Sequence, residues 1–293
     1  MLVAFAMNCF SKEMLQLYKC DESGYKDVYV YIDFSNPICR WNFIRGILDS
    51  ASNLSDYFGF PVCSFFLKSR LMNQKYYSLE MQLEHVRLTG FQENVSRLSG
   101  LYFFESLQDV QLAENLIPSF TKENLVKCLL PNSASYQKHD MNWITYHDEY
   151  TNNDWMKKYW NGNECDHSRY GVPVYECLTD HYLIANEPEI KEKLYREYEK
   201  KNQNDLFFLQ YGIWGAYYGY PLSEVFYSIE KKNDYIEINP RIYFDEITAI
   251  HTFENVKKDD LNSALSMKKV AFTGELHVPD FSRYIYKIPL VRL

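Results

Sequence analysis

The chain has 293 residues, a hydrophobic fraction of 46% and an aromatic fraction of 17%, with 26 Tyr and 19 Phe. That length holds one large domain or two ordinary ones, and the tyrosines predict a core threaded with polar contacts, since each buried hydroxyl needs a partner. A formal charge of −8 excludes general binding to a nucleic-acid backbone, which needs a clustered positive surface.

Seven cysteines, at 9, 20, 39, 63, 128, 165 and 177, are scattered with no Cys-x-x-Cys. They fit reduced thiols packed as small hydrophobes, and neither a disulfide framework nor a zinc knuckle. The opening Met-Leu-Val-Ala-Phe-Ala-Met lacks a positive flank and is too short for a signal peptide or a span; no later run is long enough to span. The expectation is a soluble, cytoplasmic protein without membrane contact.

Strands are predicted at Leu2–Ala6 and Val28–Phe34, with a helix-like Lys12–Tyr18 between them. Trp41–Leu48, Ser52–Phe58 and Met72–Arg87 read as helices, the last closed by Gly90. Leu98–Phe104 is a strand. Ser106 then caps a helix over Leu107–Leu116, with Asp109 in its first turn and Pro118 beyond its end. Its stripe of Leu107, Val110, Leu112 and Leu116 is expected to pack on a sheet.

Leu125–Leu130 is a predicted strand and Pro131–Asp140 a polar connection. A short helix over Asn152–Tyr159 and a loop over Asn161–Gly171 lead into a strand pair, Val174–Leu178 and Tyr182–Ala185. Pro188 opens a helix to about Lys201. A second region follows: helices at Asp205–Tyr218, Leu222–Ile229 and Asp259–Met267, and strands at Tyr235–Ile238, Ile242–Phe244, Val270–Phe272 and Tyr284–Ile288. No linker separates the regions, so the second is expected to pack on the first.

Two segments about sixty residues apart carry the candidate chemistry. In Ser96-Arg97-Leu98-Ser99-Gly100-Leu101-Tyr102-Phe103, the glycine lets a backbone or flat ligand come close, and Tyr102 shares its face. An ordinary core strand with a satisfied tyrosine explains the same run. In Pro173-Val174-Tyr175-Glu176-Cys177-Leu178, Glu176 stands in an otherwise apolar strand. It is there either for chemistry or because its face of an edge strand meets solvent.

Together with Tyr159-Trp160-x-Gly162, these segments resemble a bacterial family with a domain of unknown function related to the ADP-ribosyltransferase fold. The likeness covers about residues 70–186. Gly100-Leu101-Tyr102-Phe103 is also similar to the strand of poly(ADP-ribose) polymerases whose tyrosine stacks on nicotinamide. The resemblance implies an α+β fold: an ADP-ribosyltransferase-like split β-sheet domain over residues 1–200, with a mixed α/β C-terminal extension over 201–293. It implies NAD as substrate and ADP-ribosyl transfer, or NAD glycohydrolysis, to an acceptor that is a protein, nucleic acid or small molecule. A toxin or defence role is common in such families.

By the same resemblance Glu176 is the catalytic carboxylate, facing an oxocarbenium-like centre, and Tyr102 and Gly100 form the nicotinamide platform. Arg97 engages a phosphate or ribose hydroxyl, and Ser96 or Ser99 adds a hydrogen bond. One departure stands out. Such enzymes carry a His or Arg on an early strand, and Leu2–Ala6 and Val28–Phe34 hold neither; Arg40, His85 and Arg87 are poor substitutes. That gap favours an alternative, a non-enzymatic nucleotide- or protein-binding module with a degenerate cleft. A host-interaction protein with a tyrosine-rich interface is a third reading.

Other signals are weaker. The histidines lack metal-ligand spacing. Cys177 and His181 make a nucleophile–base pair only if their strands form a hairpin. Gly212, Gly215 and Gly219 suggest close helix packing, and Thr273-Gly274-Glu275 a hairpin turn with a second glutamate.

Overall fold

A computed structural model describes residues 24–52, 62–64, 71, 73–201, 205–218, 220–258 and 277–289. The elements expected at Leu2–Ala6, Lys12–Tyr18, Asp259–Met267 and Val270–Phe272, and nearly all of Ser52–Phe58, lie outside the described residues, as do Cys9, Cys20, Gly219 and Glu275.

The protein is mixed α+β, with three antiparallel sheets among the described residues. The first has the order β1 (Tyr25–Tyr31), β5 (Leu125–Pro131), β8 (Leu183–Ala185), β2 (Ile47–Leu48). The second has the order β4 (Leu101–Phe103), β7 (Tyr175–Thr179), β6 (Gln137–Asp140). These two meet through a bridge between Tyr29 and Phe104, whose backbones exchange hydrogen bonds of 2.9 and 2.8 Å. The third has the order β11 (Tyr286–Pro289), β10 (Tyr235–Ile242), β9 (Val225–Lys231), β3 (Val62–Cys63).

Helix α1 (Pro37–Arg45) is capped by Asn36, whose side chain accepts from Ile38 N, and stops at Gly46, where φ is 105°. It buries Trp41, Phe43 and Ile44 in the main core together with Phe208 and Trp214 of α8 (Leu206–Tyr217). α2 (Gln74–Gly90) and α5 (Asp154–Trp160) cover the second sheet in a separate cluster that includes Leu79, Leu83, Trp155, Tyr159, Trp160 and Leu178. Trp160 Nε1 donates to Leu83 O at 2.9 Å and pins the two helices together.

α3 (Leu107–Leu116) forms where expected, with Ser106 accepting from Asp109 N. Its buried positions are Val110 and Ala113; Leu107 is exposed, and Leu112 and Leu116 are half-buried beside Phe104, Met141 and Val174. Leu112 is therefore a flank of the stripe and not its centre.

Several expectations give way. The strands at 174–178 and 182–185 do not pair: β7 joins the second sheet and β8 the first. Thr179 Oγ1 donates to Ser135 O and accepts from His181 N, turning the chain out of one sheet and into the other. Cys177 consequently lies opposite Phe103 and Lys138, and no hairpin aligns it with His181.

The polar stretch before Met141 contains β6, whose Gln-Lys-His-Asp sequence has no strand propensity of its own and is drafted by pairing with β7. The loop at 161–171 contains α6 (His167–Tyr170), capped by Asp166. Leu222–Ile229 is not helical. Its alternation of Val225 and Tyr227 against Phe226 and Ser228 feeds β9, which is paired on both sides. A helix at Glu246–Lys258, opened by Asp245 accepting from Thr248 N, follows β10.

Residues beyond 201 complete the core of the first 200. Trp41 Nε1 donates to Ser223 O at 2.7 Å, and Asn42 exchanges two hydrogen bonds with the Val225 backbone. α7 (Pro188–Lys201) also packs on α1. Gly212 and Gly215 seat this region: a Cβ on Gly212 would lie 1.8 Å from Ser223 Oγ, and one on Gly215 would lie 2.7 Å from Leu222 Cβ. No helix among the described residues is long and apolar enough to cross a membrane.

Candidate functional site

The second sheet alternates by residue, so one face presents Tyr102, His139, Glu176 and Leu178, and the other presents Phe103, Lys138 and Cys177. α2 and α5 close over the first face and supply Glu80 and Tyr159. Arg97 enters from the turn ahead of β4. Four side chains that the sequence scatters over nearly a hundred positions, Glu80, Tyr102, Tyr159 and Glu176, thus meet at one guanidinium.

Arg97 is 1% exposed and Glu80 is fully buried. Arg97 donates through Nε to Glu80 Oε2 at 3.0 Å and through Nη2 to Glu80 Oε1 at 3.3 Å, a two-point grip. Its Nη1 donates to Glu176 Oε1 at 2.5 Å and to the Tyr159 hydroxyl at 2.6 Å, and that hydroxyl donates to the same Oε1 at 3.0 Å. The guanidinium lies 5.0 Å from the ring centre of Tyr102 and 5.4 Å from that of Tyr159. Tyr102 donates its hydroxyl to Arg97 O at 2.7 Å, closing the turn.

Burial works against the Arg97 charge, but Glu176 and Glu80 outweigh it and hold its pKa well above the usual range. Burial drives the Tyr159 hydroxyl well above its ordinary value, so it remains a donor. His139 stacks on Tyr159 with ring centres 4.4 Å apart and makes a 2.8 Å hydrogen bond from Nδ1 to Tyr159 O. A carbonyl only accepts, so Nδ1 carries the proton. Burial lowers the pKa of His139, with Tyr159 O and Glu176 acting in the opposite direction.

Glu176 is the open edge of this cluster. Its Oε1 takes two donors, its Oε2 takes none, and the side chain is 10% exposed. A carboxylate held this way is fixed in direction by one oxygen and has the other free for a cationic centre or a hydroxyl.

The structure thus brings Arg97, Tyr102 and Glu176 together, with Arg97 turned inward. Its donors are committed to Glu80, Tyr159 and Glu176, so what it offers Glu176 is orientation, and it offers no fork to a phosphate. Ser96 Oγ donates to Glu84 Oε2 at 2.8 Å and accepts from Leu98 N. Ser99 pairs with Ser52 at 2.7 Å and accepts from Ala51 N and Ser50 Oγ through its carbonyl. The space beside Gly100 is filled from within: a Cβ there would lie 2.6 Å from Val95 Cγ1 and 2.8 Å from Ser96 O. Those three residues build the turn that delivers Arg97.

A second charged cluster joins the two sheets at their edge. Glu105 accepts from Lys26 of β1 at 3.0 Å, from Lys138 of β6 at 2.5 Å and from the Tyr136 hydroxyl. Burial opposes its ionisation, but these donors outweigh burial and hold its pKa down to about 2.

Glu80 and His139 were not singled out in the sequence, and Tyr159 entered only within the Tyr159-Trp160-x-Gly162 motif, with no role at the site. The available signal was Glu80 itself, a carboxylate between Leu79 and Leu83 on the apolar face of a helix. Among the described residues no group of three or more His, Cys, Asp or Glu side chains is placed to hold a metal ion.

The sequence model of a family described as a protein of unknown function (DUF2441) matches residues 51–180. The match contains Glu80, Arg97, Tyr102, His139, Tyr159 and Glu176, the whole cluster. No curated protein matches the chain.

Proposed function

We propose that the chain is an ADP-ribosyltransferase-like protein that cleaves the nicotinamide–ribose bond of NAD and passes ADP-ribose to an acceptor or to water. The carrying observation is Glu176: an oriented carboxylate with one free oxygen, at the centre of a sheet joined to its neighbour by the Tyr29–Phe104 bridge. Two antiparallel sheets that part on either side of one bridge support this reading, since the resemblance implies a split-sheet architecture.

In this reading the bond between nicotinamide nitrogen and ribose C1′ breaks, and its electron pair leaves with nicotinamide. Positive charge develops at C1′, where the free oxygen of Glu176 stabilises it more in the transition state than in the ground state. The acceptor oxygen or nitrogen then bonds to C1′ and gives up its proton. Arg97 and Tyr159 fix the carboxylate in advance, so it need not reorganise during the reaction. Tyr102, half-buried beside Arg97, offers the ring against which nicotinamide would lie.

The non-enzymatic nucleotide- or protein-binding module is favoured by two observations: Glu176 is 7% exposed, and Tyr25–Tyr31 carries neither His nor Arg. Incubating the protein with NAD and following free nicotinamide separates the two. Turnover that falls about a hundredfold or more in Glu176→Gln, with little change in NAD affinity, supports the transferase. Thermal stabilisation by NAD without nicotinamide release supports the binding module. Neither turnover nor stabilisation overturns an NAD site.

A further inference from the structure

Arg45, at the C-terminal end of α1, is fully buried and meets two carboxylates through one nitrogen. Its Nη2 lies 3.2 Å from Asp49 Oδ2, just past β2, and 2.8 Å from Glu224 Oε2, just ahead of β9. That nitrogen has two hydrogens, and they go to Ile47 O at 2.8 Å and to Asp49 Oδ2. None is left for Glu224 Oε2, which is buried with no hydrogen-bond partner, as are Nε and Nη1 of Arg45. Glu224 Oε1 accepts from Asp49 N at 3.2 Å. Two carboxylates therefore crowd one side of a single guanidinium, and with both ionised the trio carries a net negative charge. The Glu224 side chain is 2% exposed and that of Asp49 is 21% exposed. A surplus charge in so dry a place is costly. One proton on Glu224 removes it: Oε2 becomes a donor, Asp49 accepts, and Arg45 keeps one counter-charge.

The geometry points to a proton shared by Asp49 and Glu224 about Arg45, a pH-sensitive clasp that is closed with the proton in place and loosens in alkali. This is independent of the reaction proposed above. The clasp joins three parts of the chain: α1, the turn after β2, and the start of β9 in the C-terminal region. The turn after β2 in its turn holds the segment that delivers Arg97, because Ala51 N and Ser50 Oγ both donate to Ser99 O. On the other side Val225 N, next to Glu224, donates to the side chain of Asn42 on α1.

Burial raises the pKa of Glu224 well above the ordinary value; Arg45 acts against it, and the charge of Asp49 and a hydrogen bond between the two side chains act with it. The other neighbours bring no charge. Gly212 and Gly215 of α8 face Ser223 and Leu222, Tyr243 meets Glu224 through its backbone, and the turn before β4 presents Ser99. Arg97 in that turn is gripped by Glu80. Among the described residues no other charged side chain is bonded to either carboxylate. A glutamate with a raised folded pKa leaves the folded state one proton richer than the unfolded one. Its contribution to stability is therefore fully present below the ordinary value of 4.5 and is lost as pH rises through the folded value.

The decisive variant is Glu224→Gln, which keeps the shape of the protonated acid and a donor toward Asp49 but cannot ionise. Thermal melts are compared from about pH 4.5 to about pH 8.5. The variant is expected to match wild type at the acid end and to melt about 3 °C or more higher at the alkaline end, the effect of removing about one unit of pKa shift in a chain of this size. A variant that melts lower than wild type at the alkaline end would mean an ordinary Arg45–Glu224 ion pair, and overturns the shared proton. Asp49→Asn leaves Glu224 ionised opposite Arg45 and is expected to lose the same pH-dependent component; an unchanged profile overturns the sharing. Infrared spectroscopy of the wild type decides the point even where a variant folds poorly. With the glutamate carboxyls isotopically labelled, which separates Glu224 from Asp205 with its own raised pKa, a labelled carboxylic-acid band is expected at neutral pH, and its absence overturns the proposal. Hydrogen exchange then tests the clasp itself: at about pH 8.5 the Ala51 and Val225 amides should exchange faster in wild type than in Glu224→Gln, and equal rates would show that the proton closes nothing.

Discussion

Removing the Arg97 guanidinium tests the central claim about the cluster most directly. Arg97→Met keeps much of the side chain's bulk and deletes the cation, leaving the fully buried Glu80 and the nearly buried Glu176 without their counter-charge. Four donated hydrogen bonds disappear with it. Breaking a buried ion pair from one side costs about 3–5 kcal/mol, mostly the penalty of the charge left behind. A typical domain is stable by only about 5–15 kcal/mol, so the variant is expected to sit near the edge of folding. Urea unfolding followed by tryptophan fluorescence reads this as a large fall in midpoint at constant slope. The double variant Arg97→Met/Glu80→Gln strands one charge fewer and is expected to recover more than half of the loss. A loss below about 1 kcal/mol at unchanged slope would place the pair among solvent-screened contacts and refute the description of a closed, desolvated cluster.

Gly100→Ala is expected to destabilise by about 1–3 kcal/mol, because its Cβ would press on Val95 Cγ1 and the Ser96 carbonyl; a thermal scan showing no loss would mean the turn yields freely. Glu105 has a folded-state pKa of about 2, below its unfolded value, so its contribution is present at neutral pH and is lost as pH falls from the ordinary glutamate range toward 2. Glu105→Gln should flatten the acid side of the stability profile in that interval, and a profile identical to wild type would show that Lys26 and Lys138 contribute nothing net.

The sequence made the locally encoded parts legible. Ser106 with Asp109 marked a helix start to the residue, and Pro188 marked another, because caps and proline act through their immediate neighbours. Strand partners were not legible. Val174–Leu178 and Tyr182–Ala185 look like a hairpin by spacing, but pairing is decided by which sheet offers a free edge and an apolar face, and the two strands went to different sheets. β6 shows the same limit from the other side, since Gln-Lys-His-Asp has no strand character until β7 lies beside it. Of the site, Glu176 stood out because a carboxylate in an apolar strand is unusual, and Arg97 and Tyr102 were picked out by the family resemblance of their segment. Glu80 and His139 were missed, and Tyr159 was given no role, because their significance comes only from where α2, β6 and α5 are carried by packing.

What holds these parts in place is the register of β7. A strand whose side chains alternate is specified only if a one-residue slip is expensive on both faces. On one face a slip would take Glu176 away from Arg97 and Tyr159 and put Tyr175 or Cys177 against a buried guanidinium already facing Glu80. On the other face β4 and β6 align Phe103, Cys177 and Lys138, and Lys138 is tied to Glu105 together with Lys26 from the neighbouring sheet. The buried cluster therefore fixes which oxygen of Glu176 is free, and the edge cluster fixes how the second sheet meets the first. A change at Glu105 is accordingly expected to be felt in the angle between the sheets, and a change at Arg97 in the direction of the carboxylate, although the two clusters share only the strands that run between them.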